Sequence, residues 1–290
     1  MAAFSAPFLL RMSMESDVPM IRDNKNGIKN SLQVGRILEE HSLRRGVCSM
    51  SGSIYDTAWV SMVYKSGEGK NTWLFPSSFQ AICEAQKVDG GWEGTDAIDE
   101  IVNTLACLLS LKRHVKVDKD EGSEILDRID RATQFLLKKL EQWDIEASTE
   151  RVAFEILIPS MINLLALEGV SLPFRGAELL RRLNQSKMSK INVQLLYKYP
   201  TTVLHSLEAF IGVVDFDKMA HHLVGGSMMG SPSSTAAYLM NVSNWDEAAE
   251  QYLRDAVENG RRNGEGMVTN VFPISTFEFA WVLVRSYCHN

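Results

Sequence analysis

From about residue 72 to the end of the chain, segments of about 12 to 18 residues with apolar positions every three or four residues follow one another, separated by breaks rich in Gly, Pro and Ser. Period-two alternation, the mark of a half-buried strand, is almost absent. Such a chain buries its apolar stripes by packing helices on helices, so the expected fold class is all-α. "IDEIVNTLACLLSLKRH" shows the rule: its apolar residues stand at 98, 101, 102, 105, 108 and 109, and it closes on basic residues, as a helix C-terminus prefers. "EILDRIDRATQFLLKKLEQW" repeats the period with its charges on the other face. "FEILIPSMINLLALEG", "PTTVLHSLEAFIG", "SPSSTAAYLM", "WDEAAEQYLRDAVENG" and "STFEFAWVLVRSY" are further helical candidates. In the polar first 50 residues only "SLQVGRILEEHSLRR" reads as helical.

A weak repeat runs through this succession. "VDGGWEG" precedes "NTLACLL", "VGGSMMG" precedes "SPSSTAAYLM", and "GEGMVTN" precedes "STFEFAWVL". Each pairs a Gly-rich turn with a polar-capped apolar helix. Ser231 and Pro232 form a good N-cap and N1 pair, since the proline's missing N–H would be unbonded there in any case. The spacing suits stacked helical hairpins, and an α-α barrel is preferred over a solenoid because 290 residues hold too few copies for a long array.

Composition limits the function classes. A chain of 290 residues, 45% hydrophobic and 23% charged, has ample material for a core. It contains no apolar run of about 18 residues, so no membrane span is expected. The net charge is -6 and the 30 Lys and Arg are scattered, which makes nucleic acid an unsuitable partner. Cys48, Cys83, Cys107 and Cys288 lie far apart without CxxC spacing, the pattern of reduced thiols in an intracellular protein. The opening "MAAFSAPFLLRM" has no basic residue before its apolar stretch, so a secretory signal is not expected and a cytoplasmic location is.

One stretch does not fit a purely structural helix. "GSIYDTAWVSMVY" spaces Tyr55, Trp59, Val60, Val63 and Tyr64 for burial, yet sets Asp56 among them. A buried carboxylate must be partnered.

"SIYDTAW" resembles the SxYDTAW motif of the class II diterpene cyclases, the copalyl diphosphate synthases and the related fungal bifunctional enzymes. "QKVDGGW", Gln86 to Trp92, is similar to the QxxxGxW element of the wider cyclase family. "FEILIPSMINLL", "PTTVLHSLEAF", "MMGSPSSTAAYLM" and "NVFPISTFEFAW" resemble further blocks in the same order, so the resemblance covers roughly residues 50 to 285. It implies paired α-barrel domains, β and γ, with a cavity between them. Residues 1–65 would then be an N-terminal segment with a β-like first helix, and residues 66–290 a γ-like barrel.

The resemblance also implies a chemistry: an Asp-x-Asp-Asp acid protonates the terminal alkene of geranylgeranyl diphosphate, the cation closes rings in an aromatic-lined cavity, and the diphosphate is kept. This sequence contains no Asp-x-Asp-Asp. Its nearest strings are "DKDE" at 118–121 and "DFDK" at 215–218, and the family places its acid a short distance beyond the block matched by "NVFPISTFEFAW". The chain is therefore expected to correspond to an N-terminal portion that stops before the acid and is inactive alone. The class I Asp-Asp-x-x-Asp motif is missing too.

By the same resemblance His205 and Asn270 match the pair that, in plant copalyl diphosphate synthases, holds the water removing the final proton. Glu141, Asp144 and Glu146 fall where the family has an acidic, Mg²⁺-associated motif. Tyr55, Asp56, Trp59, Gln86 and Trp92 match structural positions: the glutamine would cap a helix end under the packed Trp92, and Asp56 would bond inside a contact with a β domain. His221 and His222 point to different faces and are expected at the surface or in a turn. The alternative to a cyclase is a non-catalytic γ-like module that pairs with a separate chain carrying the acid. A third reading takes Asp56, Asp215 or Asp217 as the acid for a smaller prenyl substrate.

Overall fold

The computed structural model describes residues 50–66, 72–117, 123–148 and 153–274. The helical candidates at 31–45 and 275–287, the "DKDE" string, Cys48 and Cys288 lie outside these residues. The elements in chain order are α1 (Ile54–Ser61), β1 (Tyr64–Lys65), β2 (Thr72–Trp73), α2 (Pro76–Glu84), α3 (Ala97–Val117), α4 (Ser123–Gln142), α5 (Phe154–Leu167), α6 (Ala177–Met188), α7 (Val193–Leu196), α8 (Pro232–Asn241) and α9 (Glu247–Gly260). Short 3₁₀ segments occupy Glu146–Ser148, Thr202–Phe210, Phe216–His222 and Arg261–Asn263. The only sheet among the described residues is the antiparallel pair β1–β2. The all-α expectation holds.

α1 is the hub. Tyr55 through Ser61 are all buried, and α1 packs against α2, α3 and α8. A single apolar cluster runs from Tyr55 to Phe272. What buries the Tyr55–Trp59 helix is thus this chain's own set of helices.

The helix ends are closed largely by side chains distant in sequence. At the end of α2, the orphan carbonyl of Ile82 accepts the indole N–H of Trp92 at 2.7 Å, and that of Cys83 accepts Nη1 of Arg128 at 2.6 Å. Gln86 donates to the carbonyls of Gly90 and Arg128, both at 3.0 Å. Sequence reasoning gave the cap to glutamine and the packing to tryptophan. In the structure Trp92 both packs and caps, while Gln86 ties the turn to α4. Gly90 is required there: its φ is +93°, and a Cβ would collide with the backbone carbonyl of Arg131.

Ser231 and Pro232 open α8 as predicted, the Ser231 hydroxyl accepting the Ser234 N–H at 3.2 Å. "PTTVLHSLEAFIG" departs from its expected helix. It is a 3₁₀ segment broken at Ser206 (φ -134°, ψ 40°), and the Leu207 N–H goes to Oγ of Ser234 on α8 at 2.8 Å. A side-chain acceptor on a neighbouring helix has replaced the helical carbonyl.

Trp92 is fully buried. Trp92→Phe keeps an aromatic ring but leaves the Ile82 carbonyl unpaired, so a loss of about 1–3 kcal/mol is expected. Urea denaturation measures it, and an unchanged midpoint would contradict the staple role.

Candidate active site

The N-terminal turn of α1, the first turns of α3, the start of α5, His205, Ser233 and Asn270 enclose a cavity of about 490 Å³. Ile54, Ile98, Val102, Phe154 and Leu157 make its apolar walls, and its polar groups include Tyr55, Asp56, His205, Ser233 and Asn270 together with Glu93, Asp99 and Asn103 on the side of α3. Apolar walls with converging polar groups are the usual character of a ligand pocket. His205 and Asn270, 65 positions apart in sequence, are thus brought to one cavity together with Asp56.

Asp56 is held from two directions. Its Oδ2 accepts the Ser53 hydroxyl at 2.6 Å, while the same hydroxyl oxygen accepts the Asp56 N–H at 3.2 Å, a variant of the capping box. Its Oδ1 accepts the Ser233 N–H at 3.1 Å, so Asp56 also caps the N-terminus of α8 from across the molecule. Beneath it lies Glu208, only 1% exposed, which the sequence reading passed over. Its Oε1 accepts the Tyr55 hydroxyl at 3.0 Å and its Oε2 the Ser234 hydroxyl at 2.8 Å. The Ser233 hydroxyl, at 3.4 Å from Oε1, links the two carboxyl groups. A lone acidic residue in the apolar run "LHSLEAF" was the signal that could have found it.

No cation among the described residues forms an ion pair with either acid. Burial raises the pKa of both Asp56 and Glu208, against the pull of their hydroxyl and amide donors. Burial also raises the Tyr55 phenol well above its usual value, and the neighbouring Glu208 adds to it. For His205 burial lowers the pKa and the Asp56 charge pulls the other way, leaving the imidazole neutral near pH 7. Its Nδ1 is buried with no hydrogen-bond partner among the described residues.

Asn270 sits on a loop fastened at both ends. Val268 accepts the Ser53 N–H at 2.7 Å and donates its own to Oγ1 of Thr57 at 3.1 Å. Phe272 donates to the Gly230 carbonyl at 2.8 Å and accepts the Tyr252 hydroxyl at 2.8 Å.

Other sequence candidates lie elsewhere. Glu141 is exposed and accepts the Arg175 N–H at 2.9 Å, Asp144 is exposed and accepts the Ala147 N–H at 3.1 Å, and Glu146 is exposed at the start of a 3₁₀ turn. Among the described residues no group of three or more His, Cys, Asp or Glu side chains is placed to hold a metal ion, so these three do not fit Mg²⁺ as a set. Asp215 pairs with Lys218 at 2.9 Å and Asp217 accepts the Ser243 hydroxyl at 2.6 Å, both at the surface and outside the cavity. His221 is exposed, but His222 is buried with Nε2 at 2.8 Å from the Leu196 carbonyl oxygen, which corrects the surface assignment.

The raised pKa of Glu208 fixes a sign. Its contribution to stability is fully present below the ordinary carboxylate pKa and is lost as pH rises through the raised folded-state value. Glu208→Gln lacks that loss, so its stability relative to the parent chain is expected to climb from pH 4 to pH 8, whatever its constant offset. Urea titrations at both pH values decide it; a relative stability that falls with pH would mean a carboxylate stabilised by the fold.

No family model matches the chain. It is 48% identical over 253 residues to phyllocladan-16-alpha-ol synthase of Phomopsis amygdali, covering 84% of this chain and 25% of that one. It is 44% identical over 257 residues to copalyl diphosphate synthase of Talaromyces verruculosus, covering 87% and 26%. Among solved structures it superposes on ent-copalyl diphosphate synthase of Arabidopsis thaliana, in complex with (S)-15-aza-14,15-dihydrogeranylgeranyl thiolodiphosphate, with TM-score 0.67 and 28% identity over 90% of this chain and 36% of that one. The chain spans about a quarter of the length of the curated relatives it matches.

Proposed function

We propose, from the premise that this chain is a homologue of the copalyl diphosphate synthases and fungal bifunctional diterpene synthases spanning about a quarter of their length, that it forms the base-bearing wall of a class II cyclase cavity. The substrate class is geranylgeranyl diphosphate, and the reaction a cyclisation begun by protonation. The observation that carries this reading is the convergence of His205 and Asn270 on one cavity with apolar walls from α1, α3 and α5.

The division of labour follows from the residues present. His205, kept neutral by burial and lining the cavity, offers an unprotonated ring nitrogen to receive a proton directly or through one water. A high proton affinity is not needed, because a carbocation with an adjacent C–H is a far stronger acid than imidazolium. Asn270 offers both a donor and an acceptor to orient such a water. The apolar walls exclude competing water from the cation. The opening step needs a strong carboxylic acid, and the sequence holds no Asp-x-Asp-Asp to supply it. Asp56 is a poor substitute, since both its oxygens are occupied in holding α1 to α8. The acid must come from a segment or chain that completes the cavity.

The purified 290-residue chain, incubated with geranylgeranyl diphosphate and Mg²⁺, is expected to yield no copalyl-type diphosphate by mass spectrometry. Formation of that product would overturn the assignment of the acid to another segment. Joined to the remaining three-quarters or so of the Talaromyces relative, the chain is expected to support turnover. His205→Ala should lower it by about 10²- to 10⁴-fold, the usual contribution of a general base. Turnover unaffected by His205→Ala would remove the base assignment.

A further inference from the structure

We propose that a second cavity, at the other end of the α1–α3 pair, binds an organic monoanion: a carboxylate on a small aromatic or apolar body. This cavity holds about 370 Å³ and lies between the chain just beyond α1, the last turn of α3 and the end of α8. It lies well apart from the first: Asn103 lines one cavity and Arg113 the other, ten residues or about 15 Å along the same helix.

Among the described residues the charges there do not cancel. Lys116 pairs with Glu168 at 3.0 Å, one for one. Arg113 forms no ion pair among the described residues, and its polar contact is Nη1 to the sulfur of Met240 at 3.8 Å. A guanidinium presents five N–H donors in a planar fork, and a largely desolvated one with a thioether as its neighbour lacks the partner that burial demands. Burial lowers the Arg113 pKa, opposed by the Glu168 charge, which agrees with that deficit.

The lining selects the ligand. One uncompensated positive charge beside a carboxylate favours a single negative charge, because Glu168 would repel a dianion or diphosphate. The flat fork matches the two oxygens of a carboxylate. Two aromatic rings share the lining with it: Trp73, which stacks on His114 at 3.7 Å between centroids, and Tyr64, which Trp73 meets edge-on at 4.8 Å. With the apolar side of Met240 they form a wall for the ligand body.

The test is calorimetric titration of the full chain with phenylacetate, with phenylacetamide as its neutral counterpart and inorganic phosphate as the oxyanion without a body. Saturable phenylacetate binding with Kd on the order of 1 mM is expected for a ligand of this size. It should weaken at least tenfold in Arg113→Gln with an unchanged near-ultraviolet circular dichroism spectrum. Should Arg113→Gln fail to fold, Arg113→Lys, which keeps the charge and loses the fork, decides the matter by binding at least threefold more weakly than the parent. Absence of saturable binding up to 20-fold above that Kd, equal binding by Arg113→Gln, or phenylacetamide binding as tightly would each overturn the site. Inorganic phosphate binding more tightly than phenylacetate would overturn the monoanion assignment.

Discussion

The carboxyl group of Asp56 joins two helix starts that are 177 residues apart in sequence, and the site depends on that junction. One oxygen closes the first turn of α1 through Ser53, and the other caps α8 through the Ser233 N–H. A carboxyl group only 4% exposed is tolerated because its hydrogen-bonding capacity is used. Deleting it would leave the Ser53 hydroxyl and the Ser233 N–H without their acceptor together, so its effect on stability cannot be split among single bonds. The same junction fixes where the first cavity opens, since its floor is the α1 turn and its side is Ser233.

From that junction the polar network continues inward by alternation of acid and hydroxyl. Ser233 reaches Glu208, Glu208 receives Tyr55 and Ser234, and Ser234 takes the Leu207 N–H released by the break at Ser206. The break is therefore part of the network. It lets one short segment turn His205 toward the cavity and Glu208 into the core three residues later, two directions that a regular helix would have kept on one face.

The helices, the burial of the "YDTAW" stretch and the cap at Ser231 were legible because they rest on local signals: period, cap residues and aromatic spacing. His205 and Asn270 were legible through a resemblance, and the cavity unites them. What the sequence concealed was non-local. The partners of Asp56 and Glu208 come from distant segments, so no spacing rule reveals that Glu208 is a buried acid or that Asp56 serves this chain's own α8. The cap that Trp92 supplies was hidden for the same reason, since the resemblance gave capping to Gln86 while the indole N–H meets the Ile82 carbonyl ten residues away. The acidic residues 141, 144 and 146 misled in the opposite way, because proximity in sequence around a helix end spread them over the surface instead of converging them.

The raised pKa values of the two acids bear on the proposed chemistry. A carbocation beside a charged carboxylate can be trapped by covalent capture or lose its proton too early. Burial, with no pairing cation among the described residues, pushes Asp56 and Glu208 toward their neutral forms, while the hydroxyl and amide donors oppose that shift and occupy both oxygens of Asp56. In the proposed reading His205 is then the cavity group that takes the proton, its imidazole held below its ordinary pKa by burial. Buried acids satisfied by hydroxyl and amide donors in place of lysine or arginine suit such a cavity, because an ion pair would fix the carboxylate in its charged state, where it could capture a cation.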